Sequence, residues 1–262
     1  ILKGMNKMLI HQIRNATLII TYKDKKFLID PWLMPKDYMP GFEMAVNANV
    51  RQPRVELPLS VEKIVDVDAV ILTHFHPDHW DEFATKAIDK KIPFFVQSEV
   101  DQKQIQSLGF SDVRVVSVSG TEFDDITLYK TFGQHGKREI IKPLCEQVNM
   151  AYDAMGVVFK AKNEKTLYVA GDTIWCEEVV DAIDKFAPDV IVVNACGATL
   201  LNGERIIMND EDVKTLTEYA PKAVIIASHM DTVSHLTVTR NDIRKMKLNN
   251  VLVPEDNEIM EF

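Results

Sequence analysis

The stretch that decides the fold reads Ala69-Val70-Ile71-Leu72-Thr73-His74-Phe75-His76-Pro77-Asp78-His79-Trp80-Asp81. Four apolar residues in a row, then polar residues and a proline, describe a buried strand opening into a loop. Three histidines and an aspartate fall within residues 74–79. Imidazoles packed that closely are costly to bury unless a cation takes their lone pairs. Imidazole with carboxylate suits zinc, and also manganese or iron. His74 and His76 lie two apart and face the same side, whereas Asp78 and His79 fall beyond the Pro77 bend and aim at a second point. One loop thus offers half the ligands of two adjacent metals.

Composition narrows the setting. A chain of 262 residues fits one large α/β domain or two small ones, and 46% hydrophobic residues suit a substantial core. No apolar run approaches membrane-spanning length, so no membrane role is expected. A net charge of −9 provides no basic surface for a polyanion, which argues against nucleic acid as a partner. Cys145, Cys176 and Cys196 are odd in number, widely spaced and without a CxxC pair, so neither a disulfide framework nor a thiolate zinc knuckle is indicated. The opening Ile1-Leu2-Lys3-Gly4-Met5 is neither a signal peptide nor a natural start. Residues 1–7 are therefore expected to be partly foreign, with Met5 or Met8 as initiator and a reducing cytoplasm as the setting.

Working outward, Ala16 to Ile20 and Lys26 to Ile29 read as strands around Lys23-Asp24-Lys25, a hairpin signal. The second strand runs into Asp30-Pro31-Trp32, where Asp30 is either a turn former or the acceptor that fixes the tautomer of a metal-binding histidine. Residues 33–60, with four prolines and no periodicity, read as a functional loop, lid or subunit contact, and Met34, Met39 and Met44 suggest a homo-oligomer. After the histidine loop, helices are expected over Asp81–Lys90 and Ser98–Leu108, the latter capped by Ser98, with strands at Pro93–Gln97 and Val113–Val118. Short strands follow over Glu122–Phe132, and 137–155 reads as a second irregular segment. Strands Val157–Ala161 and Thr166–Val169 come next. The βα rhythm then returns with helix Glu177–Phe186, strand Val190–Val193, helix Asp210–Tyr219, strand Ala223–Ala227, helix Asn241–Lys247 and strand Asn250–Val253. Such alternation implies sheets with helices on their outer faces.

His135, Asp172 and His229 share one address: each follows the carboxyl end of an expected strand, beside small residues such as Gly133, Gly136, Gly171 and Ser228. Small neighbours let the backbone approach a crowded centre. Any one of these histidines alone would read as an ordinary core or surface histidine. Five of the seven histidines placed in this way point to a metal site.

The pattern His74-x-His76-x-Asp78-His79, followed by a histidine, an aspartate after Ala170-Gly171 and a late histidine, resembles the metallo-β-lactamase superfamily across nearly the whole chain. The resemblance implies a single domain over 1–262 with an α/β fold, a four-layer αβ/βα sandwich whose site lies along one edge. It also implies a first metal on His74, His76 and His135, a second on Asp78, His79 and His229, and Asp172 between them. Ile29-Asp30-Pro31, Tyr168 to Thr173 and His229 to Arg240 look most like the branch containing L-ascorbate-6-phosphate lactonase. Many members of the superfamily carry a histidine near the first strand, where this chain has Arg14-Asn15-Ala16-Thr17.

Two divalent ions, zinc or manganese with iron also admissible, bring the pKa of a shared water towards neutrality and polarise the group under attack. Asp78 is then a proton acceptor as well as a ligand. His235, ahead of Thr239-Arg240 as in that branch, is either a helix-start histidine or a catalytic proton donor. The expected function is a metal-dependent hydrolase that uses metal-bound hydroxide on a small ester, lactone or phosphoester. The substrate is a small molecule that Lys137 and Arg138 would grip if it is anionic, although solvated charges are the plainer account of that pair. Alternatives are a phosphodiesterase and a mononuclear iron oxidoreductase on the same scaffold. Trp32, Trp80 and Trp175 read as packing beside site loops, and Cys176 and Cys196 as buried small hydrophobes.

Overall fold

The hairpin forms on two residues. Lys23 and Asp24 both take left-handed backbone, φ 47° and 66°, which matches the turn to the right-handed twist of the strands it joins. Those strands, β2 (Thr17–Tyr22) and β3 (Lys25–Ile29), sit next to β1 (Leu9–Arg14) in an antiparallel trio. The computed structural model describes residues 7–148 and 152–262. The expectation for Ile1 to Met5 falls outside that range.

Parallel pairing continues the first sheet from β3 through β4 (Ala69–Ile71), β5 (Phe94–Val96) and β6 (Val113–Val115). Strand β14 (Ile259–Glu261) closes the opposite edge against β1, and the order is β14-β1-β2-β3-β4-β5-β6. The second sheet starts with the antiparallel β7 (Thr121–Phe123), β8 (Ile126–Thr131), β9 (Gly156–Ala161) and β10 (Leu167–Val169). It turns parallel through β11 (Val190–Asn194), β12 (Val224–Ser228) and β13 (Val251–Leu252), in the order β13-β12-β11-β10-β9-β8-β7.

Alternation along each strand divides the apolar residues into layers. Ala69 and Ile71 of β4, Val190 and Val192 of β11 and Ile226 of β12 point into the core between the sheets. There the Phe27 ring packs edge-on against Phe159 at 5.2 Å and Phe123 at 5.5 Å. Val70 and Leu72 point the other way, under α1 (Val61–Ile64), α2 (Glu82–Ala87) and α3 (Glu99–Ser107). On the second sheet Ile191, Val193, Ile225 and Ala227 face α5 (Glu177–Phe186), α6 (Asp210–Tyr219) and α7 (Arg240–Lys245). Helix, sheet, sheet, helix: this is the four-layer α/β sandwich of the metallo-β-lactamase fold.

The caps explain where the helices begin. Asp81 accepts from Ala84 N, Ser98 from Asp101 N, and Asn209 forms a reciprocal capping box with Asp212. Residues 137–155 correct the expectation of irregular chain, because Arg138–Val148 is helix α4. Pro143 within it reads as a breaker, yet the Ile140, Ile141, Leu144, Cys145 spacing is a helical stripe. Residues 149–151 lie outside the described range. Strands β1 and β14 were not expected, since Gln12 and Arg14 break the apolar pattern of β1 while being fully buried. Among the described residues, no helix is long and apolar enough to cross a membrane.

Candidate metal centre

The two sheets aim the carboxyl ends of their strands at one edge, and each contributes. From the first sheet, β3 runs into Asp30 and β4 into the 73–79 loop. From the second, β8 leads to His135, β10 to Asp172, β11 ends at Asn194 and β12 precedes His229. The seven residues singled out by the sequence come together there. Three donor groups form, His74–His76–His135, His74–His79–Asp172 and Asp78–His79–His229, with the atoms of each within 4.8 Å of one another. Asp172 Oδ2 is the meeting point, 3.2 Å from His79 Nε2, 3.7 Å from His135 Nε2 and 3.9 Å from His74 Nε2. On the other side Asp78 Oδ2 lies 3.4 Å from His229 Nε2 and 3.8 Å from His79 Nε2.

The far nitrogens are held from behind, which sets where the near ones point. His79 Nδ1 meets Asp30 Oδ2 at 2.9 Å, and His135 Nδ1 meets the Ile206 carbonyl at 2.8 Å. His74 Nδ1 meets Thr73 Oγ1 at 3.0 Å, and that hydroxyl donates onward to Asp30 Oδ2 at 2.7 Å. Asp30 is thus the tautomer-fixing acceptor, serving two histidines through one carboxylate. Asn194 Nδ2 donates to Asp172 Oδ1 at 2.6 Å, leaving Oδ2 for the cluster.

Electrostatics show what the cluster lacks. Burial, then the imidazoles of His79 and His76, hold His74 well below its ordinary value. Burial would lower His79 too, but Asp172, Asp30 and Asp78 push it up to about 10. Burial opposes the ionisation of Asp172, yet His79 and His229 hold its carboxyl well below the usual range. Positive charge is wanted beside the carboxylates and repelled at His74, a conflict that protons leave standing and shared cations remove. His74 Nε2 and His79 Nε2 are buried without a hydrogen bond of acceptable geometry. Such unsatisfied nitrogens each cost on the order of 1–3 kcal/mol. The donors therefore fit divalent metals.

A cavity of about 290 Å³ opens over the cluster. His76, Asp78, His135, Asp172 and His235 form its floor, and Phe42, Met44, Ile141, Leu144, Leu200 and Ile206 part of its walls. The 33–60 segment and α4 are thus the walls of the site. Among the described residues no lysine or arginine lines it; Arg138 pairs instead with Asp153 at 3.3 Å and Glu178 at 3.6 Å. Trp32 and Trp80 are buried packing, and Trp175 stacks on Tyr219 away from the cavity. Cys196 is buried as expected, but it is more than a small hydrophobe, because its Sγ lies 3.6 Å from His229 Nδ1. Sequence reading missed Asn15, Thr73 and Asn194. Only Thr73, adjoining the histidine cluster, carried a local signal.

The profile of the β-lactamase superfamily domain matches residues 25–235. The UPF0173 protein YddR of Bacillus subtilis (strain 168) is 41% identical over 261 residues, 97% of this chain and all of that one. Among solved structures, the isothiocyanate hydrolase from Delia radicum gut bacteria superposes with a TM-score of 0.91 at 42% identity, covering 97% of this chain and 99% of that one. A possible metal-dependent hydrolase from Veillonella parvula DSM 2008 gives 0.93 at 44% identity, with the same coverage. Fold and site define a protein built to carry metal at the edge of a β-sandwich. The chain belongs to the β-lactamase superfamily and, within it, to the UPF0173 metal-dependent hydrolase family.

Proposed function

We propose that the protein is a dinuclear hydrolase, loaded with zinc or manganese, that attacks a small neutral electrophile carrying an apolar substituent. One observation carries this reading: seven metal donors converge beneath a cavity whose floor four of them form, and whose walls are mainly apolar and, among the described residues, hold no lysine or arginine. His74, His76 and His135 would hold one ion, Asp78, His79 and His229 the other, and Asp172 both. Bound there, the ions supply Lewis acidity and a water of lowered pKa. Phe42, Met44, Leu144 and Leu200 then grip the apolar substituent and exclude bulk water from the floor. Asp78 Oδ2 accepts a proton from the attacking water.

His235 completes the floor. Burial draws its imidazole down to about 4, so it is neutral at pH 7. Its Nδ1 is buried without a partner and the residue lines the cavity; with the proton on Nε2 the ring would serve as a donor to the substrate's leaving or developing anionic atom. The Phe42 ring stands edge-on to it at 5.1 Å and fixes its plane. His235→Ala is expected to lower kcat about 10²-fold, as for loss of one preorganised donor. Metal content by elemental analysis should stay at the parent value, and a fall in metal would make His235 a ligand instead.

The likeness to L-ascorbate-6-phosphate lactonase would call for an anionic substrate, which an apolar wall beside Glu43 disfavours. The 42% identical isothiocyanate hydrolase supports a heterocumulene, R–N=C=S, as the electrophile. The oxygen of water bonds to the central carbon, the C–N bond breaks, nitrogen takes both protons, and amine and carbonyl sulfide leave. The test is amine release from phenethyl isothiocyanate, compared with a neutral γ-lactone and a phosphomonoester of matched size, by manganese- or zinc-loaded protein. Turnover of the isothiocyanate above the others is expected. Preference for the phosphomonoester would overturn the reading.

A further inference from the structure

One wall of the cavity and the chain at His235 are joined by hydrogen bonds from segments far apart in sequence. Met39 N donates to the Gln52 carbonyl and Gln52 N to the Met39 carbonyl, each at 2.9 Å, which closes a loop over 39–52. That loop carries Phe42, Glu43, Met44 and Ala45, all of which line the cavity. Past them, Val46 N donates to the Thr199 carbonyl at 3.1 Å, and Thr199 N donates to the His235 carbonyl at 3.1 Å. Wall and His235 are therefore held as one unit.

Gln52 ties the base of that unit. Its side chain is fully buried, where a carboxamide needs both ends satisfied. Oε1 accepts from Ser234 N at 3.0 Å, and Nε2 donates to the Pro40 carbonyl at 3.3 Å. One partner can only donate and the other only accept, so the surroundings fix which way the amide lies. Ser234 immediately precedes His235, and Pro40 lies two residues before Phe42. One side chain thus spans the two stretches of backbone whose rings, His235 and Phe42, meet edge-on at 5.1 Å. The fit is close. A Cβ on Gly41 would come within 2.8 Å of the Ala48 and Val50 carbonyls and 2.9 Å of Ser234 Oγ, so the loop passes Ser234 with no room for a side chain.

We propose that Gln52 is a positioning residue: it fixes the separation of Ser234 from Pro40, and through that the place of the His235 ring at the cavity floor. Gln52 does not itself line the cavity, so it acts only through what it holds. A donor works on a developing charge only from the right place, and a misplacement of about 1 Å can cost about 10²-fold. This rests on the donor role given to His235 above.

The experiment is a double-mutant cycle on metal-loaded protein that pairs Gln52→Met with His235→Ala and reads kcat and Tm. The substrate is whichever of the three test compounds the parent turns over fastest. Methionine matches glutamine in length and makes neither bond. Alone, Gln52→Met should lower kcat about tenfold, part of what removing the donor costs. In the His235→Ala background the same change should move kcat by less than about twofold, because the group it acts through is gone. Tm should fall in both backgrounds. A merely structural role would lower kcat alike with and without His235, and that result would overturn the proposal, as would parent-level kcat in Gln52→Met alone. If Gln52→Met does not fold, Gly41→Ala presses on the same contact from the other side and enters the cycle with the same expectation. Parent-level kcat in His235→Ala alone would take down the role of His235 and this proposal with it. The cycle separates that result from the one in which His235 matters and Gln52 does not.

Discussion

Replacing Asp172 with alanine should strip the protein of metal and stop hydrolysis together, a loss of about 10³-fold or more in kcat if the ions supply the several kcal/mol of charge stabilisation usual for such sites. The size follows from position. Asp172 Oδ2 is within 4 Å of His79, His135 and His74 at once, so it reaches donors of both proposed metal positions. Its other oxygen is occupied by Asn194 Nδ2, and the carboxylate cannot turn to be replaced by a neighbour. Without it, the remaining donors are mainly neutral imidazoles, with Asp78 the nearest compensating charge. Asp172→Asn keeps the shape and the size but not the charge, and should also lose most of its metal. Elemental analysis beside turnover of the preferred substrate checks both. Asp172→Ala protein that keeps parent-level metal and rate would mean that the cluster is not the catalytic site.

The strand-end donors were legible because each sits where a local pattern changes. A buried strand ends, small residues follow, and a histidine or aspartate stands in the next few positions. The same holds for the cap Ser98, whose function is settled within four residues. What was hidden depends on partners far along the chain. Arg14 looks like a charge that breaks a strand, yet it is fully buried because the carbonyls of Trp32, Met34 and Val55 take its guanidinium at 2.8 to 3.0 Å. Asn15 stands in left-handed backbone at φ 55°, where its carbonyl ties the first hairpin to Ser228 and His229 of the second sheet. Neither role has a signature in neighbouring residues. Helix α4 is the intermediate case: Ile141 and Leu144 carried the period, and Pro143 obscured it.

Asp30 should give the second large effect, and its two variants should part company. Its side chain receives Thr73 N at 2.7 Å, Thr73 Oγ1 at 2.7 Å and His79 Nδ1 at 2.9 Å, all buried. Asp30→Ala leaves three donors unpaired, and at 1–3 kcal/mol each the fold should lose at least about 3 kcal/mol, seen as a lower Tm of the metal-free protein. Asp30→Asn keeps one accepting oxygen for Thr73, so its Tm should fall less. Its amide N–H₂, however, would meet His79 Nδ1 as a donor. The imidazole proton is then driven to Nε2, the atom that has to be bare for a cation. Metal affinity in Asp30→Asn should therefore drop about 10- to 100-fold, as much as in Asp30→Ala. The crossed pattern separates orientation from packing: stability ranks parent, then Asn, then Ala, whereas metal affinity drops alike in both variants. If affinity instead followed Tm through the series, Asp30 would be a structural aspartate, and the tautomers of His74 and His79 would have to be set by something other than the carboxylate behind them.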